Sequence, residues 1–229
     1  MAKLPSTQAV LFDAYGTLFD VYSVALTAEQ LFPGNGDRLS ALWRDKQIEY
    51  SRLTSMSGRY QPFWELTQAA LRYAALRLGL NLSDSAQQRL MDEYRCLKPF
   101  VENLEVLQAL RKRGVPAGIL SNGNPEMLNA AVKSAGFDAL LDPVLSIHDT
   151  RRYKTDPAAY ALGTSALGLP AQAILFVSSN AWDALGASWY GYTTLWVNRA
   201  GLPAEQLDPP PHRIARNLRE VLDFFPIST

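Results

Sequence analysis

The stretch Val10-Leu11-Phe12-Asp13-Ala14-Tyr15-Gly16-Thr17-Leu18-Phe19 decides how the rest of the chain is read. Its apolar opening, with Ala9 before it, reads as a short strand buried on both faces. The strand delivers a carboxylate into a loop where Gly16 allows a tight turn and Thr17 offers a hydroxyl to Asp13. A carboxylate so placed meets the N–H groups of the loop, which orient one oxygen and leave the other for a substrate. Taken alone, the segment also admits a plainer role for Asp13, the capping of a turn ahead of a glycine.

Working outward, four further apolar, β-leaning runs occur at 117–120, 144–147, 174–177 and 193–197. They too read as strands buried on both faces. Between them lie segments of helical period: Leu104, Leu107 and Leu110 ending at Gly114, residues 127–135 ending at Gly136, and residues 158–167 ending at Gly168. Strand–helix alternation predicts an α/β fold with a doubly wound parallel sheet, whose ligand crevice lies at the carboxyl ends of the strands. The polar residues there, Asp13, Ser121, Ser178 and Asn198, are expected to converge on one site.

The stretch 19–99 breaks the pattern. It has no convincing strand but holds amphipathic helical segments at 39–53, 63–78 and 85–97. We read it as an all-helical cap inserted after the first strand, with Pro99 as the return hinge and a helix starting near Val101. The expected division is a core of residues 1–18 and 100–229 and a cap of residues 19–99.

Composition narrows the partners. The 229 residues are 48% hydrophobic, enough for a real core. Lysine plus arginine equal aspartate plus glutamate at 22 each, and no basic tract offers a footprint for nucleic acid, so a small molecule is favoured. The single cysteine, Cys96, excludes an internal disulfide framework and reads as an inert, half-buried thiol in a reducing compartment. Near the N-terminus one lysine, Lys3, precedes Pro5, Ser6 and Thr7, and the first apolar run breaks at Asp13; neither a signal peptide nor a membrane span is expected, and a cytoplasmic location follows as the default.

Three more motifs follow in order. Ile119-Leu120-Ser121-Asn122-Gly123 ends a strand in a hydroxyl and an amide able to bind an anion. Lys154 precedes a helix beginning near Pro157, and Leu175-Phe176-Val177-Ser178-Ser179-Asn180-Ala181-Trp182-Asp183 follows another strand. With the first stretch, this order and spacing resemble the haloacid dehalogenase superfamily. Phosphatases of that superfamily carry a second aspartate two positions after the nucleophile, to protonate a leaving alkoxide; here that position is Tyr15. A halide needs no proton to leave, so the exchange suits carbon–halogen cleavage. Magnesium-using relatives also need acidic ligands in the last motif, where this chain has Ser178, Ser179 and Asn180 and only Asp183 as a carboxylate; no metal or other cofactor is expected. The run 178–183 and the cap run Ser40-Ala41-Leu42-Trp43-Arg44-Asp45-Lys46-Gln47-Ile48-Glu49-Tyr50 resemble the 2-haloacid dehalogenases specifically, and the resemblance spans residues 8 to 225.

That resemblance implies a two-step hydrolysis of short 2-haloalkanoic acids to 2-hydroxy acids and halide, with preference for the L form and inversion, by a homodimer. Asp13 would displace the halide and form an ester. Arg44, helped by Asn122, would accept the halide, while Ser121 and nearby N–H groups hold the substrate carboxylate. Thr17 would steady Asp13, Lys154 would offset the concentrated negative charge, Tyr160 would order the polar network, and Ser178, Asn180 and Asp183 would complete it, Asp183 polarising the hydrolytic water. Such donors, prearranged in a dry site, suit both developing charges. Ala14, Tyr15, Ile48, Phe63 and Trp182 would wall the substrate.

Plainer roles stand beside these. An arginine on a helix is most often solvated, Lys154 and Tyr160 fit a purely structural pairing, and aromatic residues at helical spacing are most often core. His148 and His212 fall in no nucleophile–histidine–acid arrangement, and no Gly-x-Ser-x-Gly elbow occurs. Two departures stand out: Thr155 where the resemblance implies proline, and Asp45, expected to pair with Arg44 and weaken its hold on halide. The rival functions are a magnesium-dependent phosphatase or phosphonatase of the same superfamily and a non-catalytic binding module on the same fold.

Overall fold

The protein is described by a computed structural model over residues 6–226. Lys3, Pro5 and the outer ends of the expected core, residues 1–5 and 227–229, lie outside the described residues. Six parallel strands form one sheet in the order β3-β2-β1-β4-β5-β6. They are β1 (Ala9–Phe12), β2 (Ala117–Ser121), β3 (Val144–Ser146), β4 (Ile174–Ser178), β5 (Thr193–Val197) and β6 (Arg213–Ala215). β1 lies mid-sheet, with Phe12 level with Ile119 on one side and Val177 on the other. Every residue of β1, β2, β4 and β5 is buried, as continuous apolar runs demand in a sheet covered on both faces.

Two expectations need correction. β3 is only half-buried, because it lies at the sheet edge with β2 as its one neighbour, and it stops at Ser146, not Ile147. The Ser146 hydroxyl accepts from His148 N at 3.1 Å and starts a 3₁₀ turn. The sixth strand escaped sequence reading because it has three residues and its one large apolar side chain, Ile214, faces solvent.

Helices α5 (Asn103–Lys112), α6 (Pro125–Ser134), α7 (Pro157–Leu167) and α8 (Ala181–Tyr190) connect the strands. Proline opens α6 and α7, where its missing N–H is no loss. Asp156 caps α7 by accepting from Ala158 N at 2.9 Å, and Gly168 ends it in the left-handed conformation. α5 starts two residues later than expected, after an exposed Val101.

Between β1 and α5 the named elements are all helices, as expected of the cap: α1 (Ala25–Leu31), α2 (Gly36–Met56), α3 (Phe63–Arg77) and α4 (Asp84–Arg95), with isolated bridges at Tyr15–Phe19 and Phe19–Pro99. α1 was not anticipated, being seven residues long without a side-chain cap. Its Glu29 carboxylate accepts from Gly34 N at 2.6 Å and Gly36 N at 2.9 Å, turning the chain into α2. α4 buries Ala86, Leu90, Met91 and Tyr94 on one face, so Cys96, just past its end, is exposed and not half-buried.

The chain passes from core to cap and back as a pair of adjacent segments. Asp20 N donates to Lys98 O at 2.8 Å and Phe100 N to Leu18 O at 3.3 Å. A second seam lies across the molecule, where Tyr60 OH meets His148 Nδ1 at 2.9 Å, Tyr153 OH donates to Gln61 O at 2.7 Å, and Trp64 N donates to Asn124 Oδ1 at 2.8 Å. Among the described residues no helix is long and apolar enough to cross a membrane.

Candidate active site

Strand order reverses between β1 and β4, and the crevice such a reversal opens at the carboxyl ends is where α/β sheets bind ligands. Asp13 leaves β1 at that point, its N–H donating to Val177 O of β4 at 2.9 Å. Gly16 then turns the chain at φ +93°, a conformation that favours glycine.

Asp13 is almost wholly buried, and its two oxygens are treated differently. Oδ2 accepts from Thr17 Oγ1 at 3.0 Å and from Asn180 Nδ2 at 2.8 Å. Oδ1 accepts from Lys154 Nζ at 3.1 Å. The lysine also donates to Asp183 Oδ2 at 2.9 Å, and Tyr160 OH donates to Asp183 Oδ1 at 2.8 Å. The result is one buried chain, Asp13–Lys154–Asp183–Tyr160, with the lysine between two carboxylates. Burial pulls the Lys154 ammonium down, but Asp13 and Asp183 outweigh it and leave its pKa above the usual lysine value. Burial pushes the Asp183 carboxyl up to about 6, opposed by Lys154 and assisted by Asp13. Tyr160 is raised well above the usual phenol value, by burial first and the Asp183 charge second, and stays a hydroxyl donor.

From the cap, α2 sends Arg44 to the same place. At 7% exposure it is no solvated helix-face residue. Nη2 donates to Tyr15 O at 3.0 Å and Asn180 Oδ1 at 3.2 Å, and Nη1 to Gln47 Oε1 at 2.7 Å. Asp45 does not pair with it: Asp45 is exposed, and among the described residues the Arg44 bonds go to neutral oxygens.

Asp13, Tyr15, Arg44, Ile48, Phe63, Ser121, Asn122, Asn180 and Trp182 line a common cavity, with Ser51 in addition. Its free volume is about 10 Å³, room for about one water molecule. The Ser121 hydroxyl accepts from Gly123 N at 3.1 Å, and Asn122 Oδ1 accepts from Lys154 N at 3.0 Å, so Asn122 ties the lysine loop and makes no bond to Arg44. Ala14 is buried outside the cavity wall, its carbonyl closing the turn to Leu18 and Phe19. Ser178 accepts from Asn180 N at 3.1 Å, shaping the loop without touching Asp13. The Lys154–Thr155 peptide, at the expected proline position, is cis.

Asn198 does not join the site; its side chain bonds Leu202 N and O. The neighbour Arg199 reaches it instead, donating to Ser179 Oγ at 2.7 Å, Thr17 O at 3.3 Å and Glu102 Oε1 at 2.8 Å. The Thr17 hydroxyl accepts from Ser179 N at 2.8 Å, so Arg199 braces both loops behind Asp13. Sequence reading missed Glu102, Arg199, Gln47 and Tyr94, because each acts through partners distant in the chain. Among the described residues no group of three or more His, Cys, Asp or Glu side chains is arranged to hold a metal ion.

Residues 7–191 match the family described as haloacid dehalogenase-like hydrolase. The chain belongs to that family. It is 44% identical to an (S)-2-haloacid dehalogenase of Pseudomonas sp. (strain YL) over 95% of this chain and 94% of that protein. Among solved structures it is similar to the L-2-haloacid dehalogenase RSc1362 (58% identity, TM-score 0.94, covering 96% of this chain and 99% of that one). It is also similar to the L-2-haloacid dehalogenase of Xanthobacter autotrophicus with chloropropionic acid covalently bound (35% identity, TM-score 0.87, covering 94% and 96%). As a hydrolase of this family, the chain carries its buried carboxylate just after β1, its lysine in the loop before α7 and its second carboxylate in the first turn of α8.

Proposed function

We propose that this hydrolase is an (S)-2-haloacid dehalogenase that converts short 2-haloalkanoic acids to 2-hydroxy acids and halide. The observation that carries the reading is Arg44: a buried cation from the cap, bonded among the described residues only to neutral oxygens, beside a carboxylate followed two positions later by Tyr15 and not by a second aspartate. Burial holds the Tyr15 phenol well above its usual pKa, so it offers no acid for a leaving alkoxide. The direct test is halide release from L- and D-2-chloropropionate, with the L form turned over, EDTA without effect, and a generic phosphate ester left intact at any magnesium concentration. Loss of activity on chelation with recovery on adding magnesium selects the phosphatase reading instead.

Asp13 Oδ1, with Lys154 as its one partner among the described residues, attacks the substrate's second carbon from the side opposite the halogen. The new C–O bond forms as the carbon–halogen bond breaks, and the halide departs with the bonding pair toward Arg44. Ser121 holds the substrate carboxylate. Water polarised by Asp183 then adds to the Asp13 carboxyl carbon and gives a proton to Asp183; the ester C–O bond to that carbon breaks, the departing alkoxide oxygen takes that proton, and the hydroxy acid leaves with inverted configuration while Asp13 releases the second proton to solvent and returns as the carboxylate. A single turnover in heavy-oxygen water with enzyme in excess is therefore expected to label the Asp13 carboxylate, read by peptide mass spectrometry. Label in the product hydroxyl instead means that water attacked the substrate directly.

The pH dependence follows from Asp183. In the free enzyme Asp183, raised to about 6 by burial with the help of the Asp13 charge, loses the charge that polarises water as pH falls; in the ester the Asp13 charge is gone, so Asp183 gains its proton at a lower pH than that, and there hydrolysis of the ester slows. Rapid-quench samples taken after the ester has formed at pH 8 and been shifted to lower pH check this: ester breakdown that slows on acidification supports Asp183, and a rate unchanged down to pH 4 means that another group activates the water.

The division into a core of residues 1–18 and 100–229 and a cap of 19–99 belongs to the same proposal, supported by the paired crossings near Asp20 and Lys98. So do the homodimer and the cytoplasmic location.

A further inference from the structure

Arg44 is held from behind by a residue to which the mechanism gives no part. Gln47, on the next turn of α2, is fully buried and does not line the cavity. Its Oε1 accepts from Arg44 Nη1 at 2.7 Å and from Tyr94 OH at 3.0 Å. Its Nε2 donates to Thr67 Oγ1 at 2.6 Å, and that hydroxyl donates to Phe63 O at 2.7 Å. Tyr94 is itself fixed, stacked on Tyr15 at 5.7 Å between ring centres and packed on Trp43 at 5.1 Å. Turning the Gln47 amide over would set its NH₂ against two donors, so the network fixes which way it faces.

A guanidinium has five N–H groups. Three donate to Gln47 Oε1, Tyr15 O and Asn180 Oδ1, which leaves two without an acceptor among the described residues. All three acceptors are neutral, although a buried cation is ordinarily paired with a carboxylate. A glutamate at position 47 would aim Arg44 equally well but would share its charge. The amide aims it and leaves the charge free.

We propose that Gln47 is a positioning residue that fixes the Arg44 guanidinium beside the nucleophile while keeping its full positive charge for the departing halide. This rests on the dehalogenase reading.

The signature is leaving-group dependence. The constant kcat/KM covers the steps through halide departure, and chloride leaves less readily than bromide, so a weaker halide site raises the ratio of 2-bromopropionate to 2-chloropropionate. Gln47→Glu, nearly isosteric, is expected to lower kcat/KM for the chloride substrate about tenfold or more and to raise the ratio about threefold. Gln47→Met, which removes the acceptor and keeps similar volume, moves both in the same direction, and Tyr94→Phe does so more weakly. Damage to packing alone lowers both halides together. A ratio equal to wild type in the folded variants overturns the role of Gln47, and if neither Gln47 variant folds, Tyr94→Phe decides on the same criterion. Wild-type enzyme that releases no halide overturns the dehalogenase reading itself, whereas wild-type release with an unmoved ratio overturns Gln47 alone.

Discussion

Replacing Asp13 by asparagine is expected to lower halide release more than about a hundredfold, ~2.7 kcal/mol of barrier, in a protein that still folds. The amide nearly matches the carboxylate in shape but is no comparable nucleophile. It is also mismatched to its surroundings, because Thr17, Asn180 and Lys154 all donate to Asp13, and an asparagine NH₂ would face one of these donors. Lys154 keeps Asp183 as counter-charge, so the core should survive the change. Circular dichroism and a thermal melt establish the fold, and halide assay the activity. A folded Asp13→Asn variant that keeps more than a hundredth of the wild-type rate removes Asp13 as the nucleophile.

Arg44→Ala should lose activity nearly as heavily, about a hundredfold in kcat/KM, because a charge-assisted donor in a dry site is removed from the point where halide charge develops. The sheet should be untouched, since Arg44 belongs to α2 and, among the described residues, its hydrogen bonds to the core go to Tyr15 O and Asn180 in loops after strands. Freed of Arg44, Asn180 still has Asp13 and Tyr15 O to hold it. A loss below about threefold, under ~1 kcal/mol, would leave Arg44 with a structural role only. Halide assay against a matched wild-type preparation distinguishes the two.

The parts of the molecule open to sequence reading are those with a strong local signature. Four strands were visible because a strand covered on both faces must be apolar throughout, β3 because Val144, Leu145 and Ile147 make an apolar run even at a half-buried edge, and the loop after β1 announced itself by placing Asp13, Gly16 and Thr17 within five positions. The strand at Arg213–Ala215 was invisible for the converse reason, since an edge strand of three residues needs no apolar run. Six of the residues lining the cavity, Asp13, Tyr15, Ser121, Asn122, Asn180 and Trp182, lie in motifs that follow a strand, whereas Arg44, Ile48 and Phe63 come from cap helices and Ser51, also on α2, gave no signal in the sequence. The bracing residues were not legible: Glu102 and Arg199 stand 97 positions apart, and Gln47 meets Tyr94 only because two cap helices pack together. Polar residues of that kind look like any solvated helix face until burial is known. Asp45 shows the opposite error, a charge next to Arg44 in sequence that the helix turns outward to solvent.

The smallness of the cavity around Asp13 makes passage in and out a step of its own. A cavity with about 10 Å³ of free volume has no room for a haloacid in this conformation, so binding one must enlarge it. At Asp20 and Lys98 the two parts are joined through the chain itself, whereas the seam of Tyr60, Gln61 and Trp64 with His148, Tyr153 and Asn124 joins them by packing and hydrogen bonds that can part without cutting the chain.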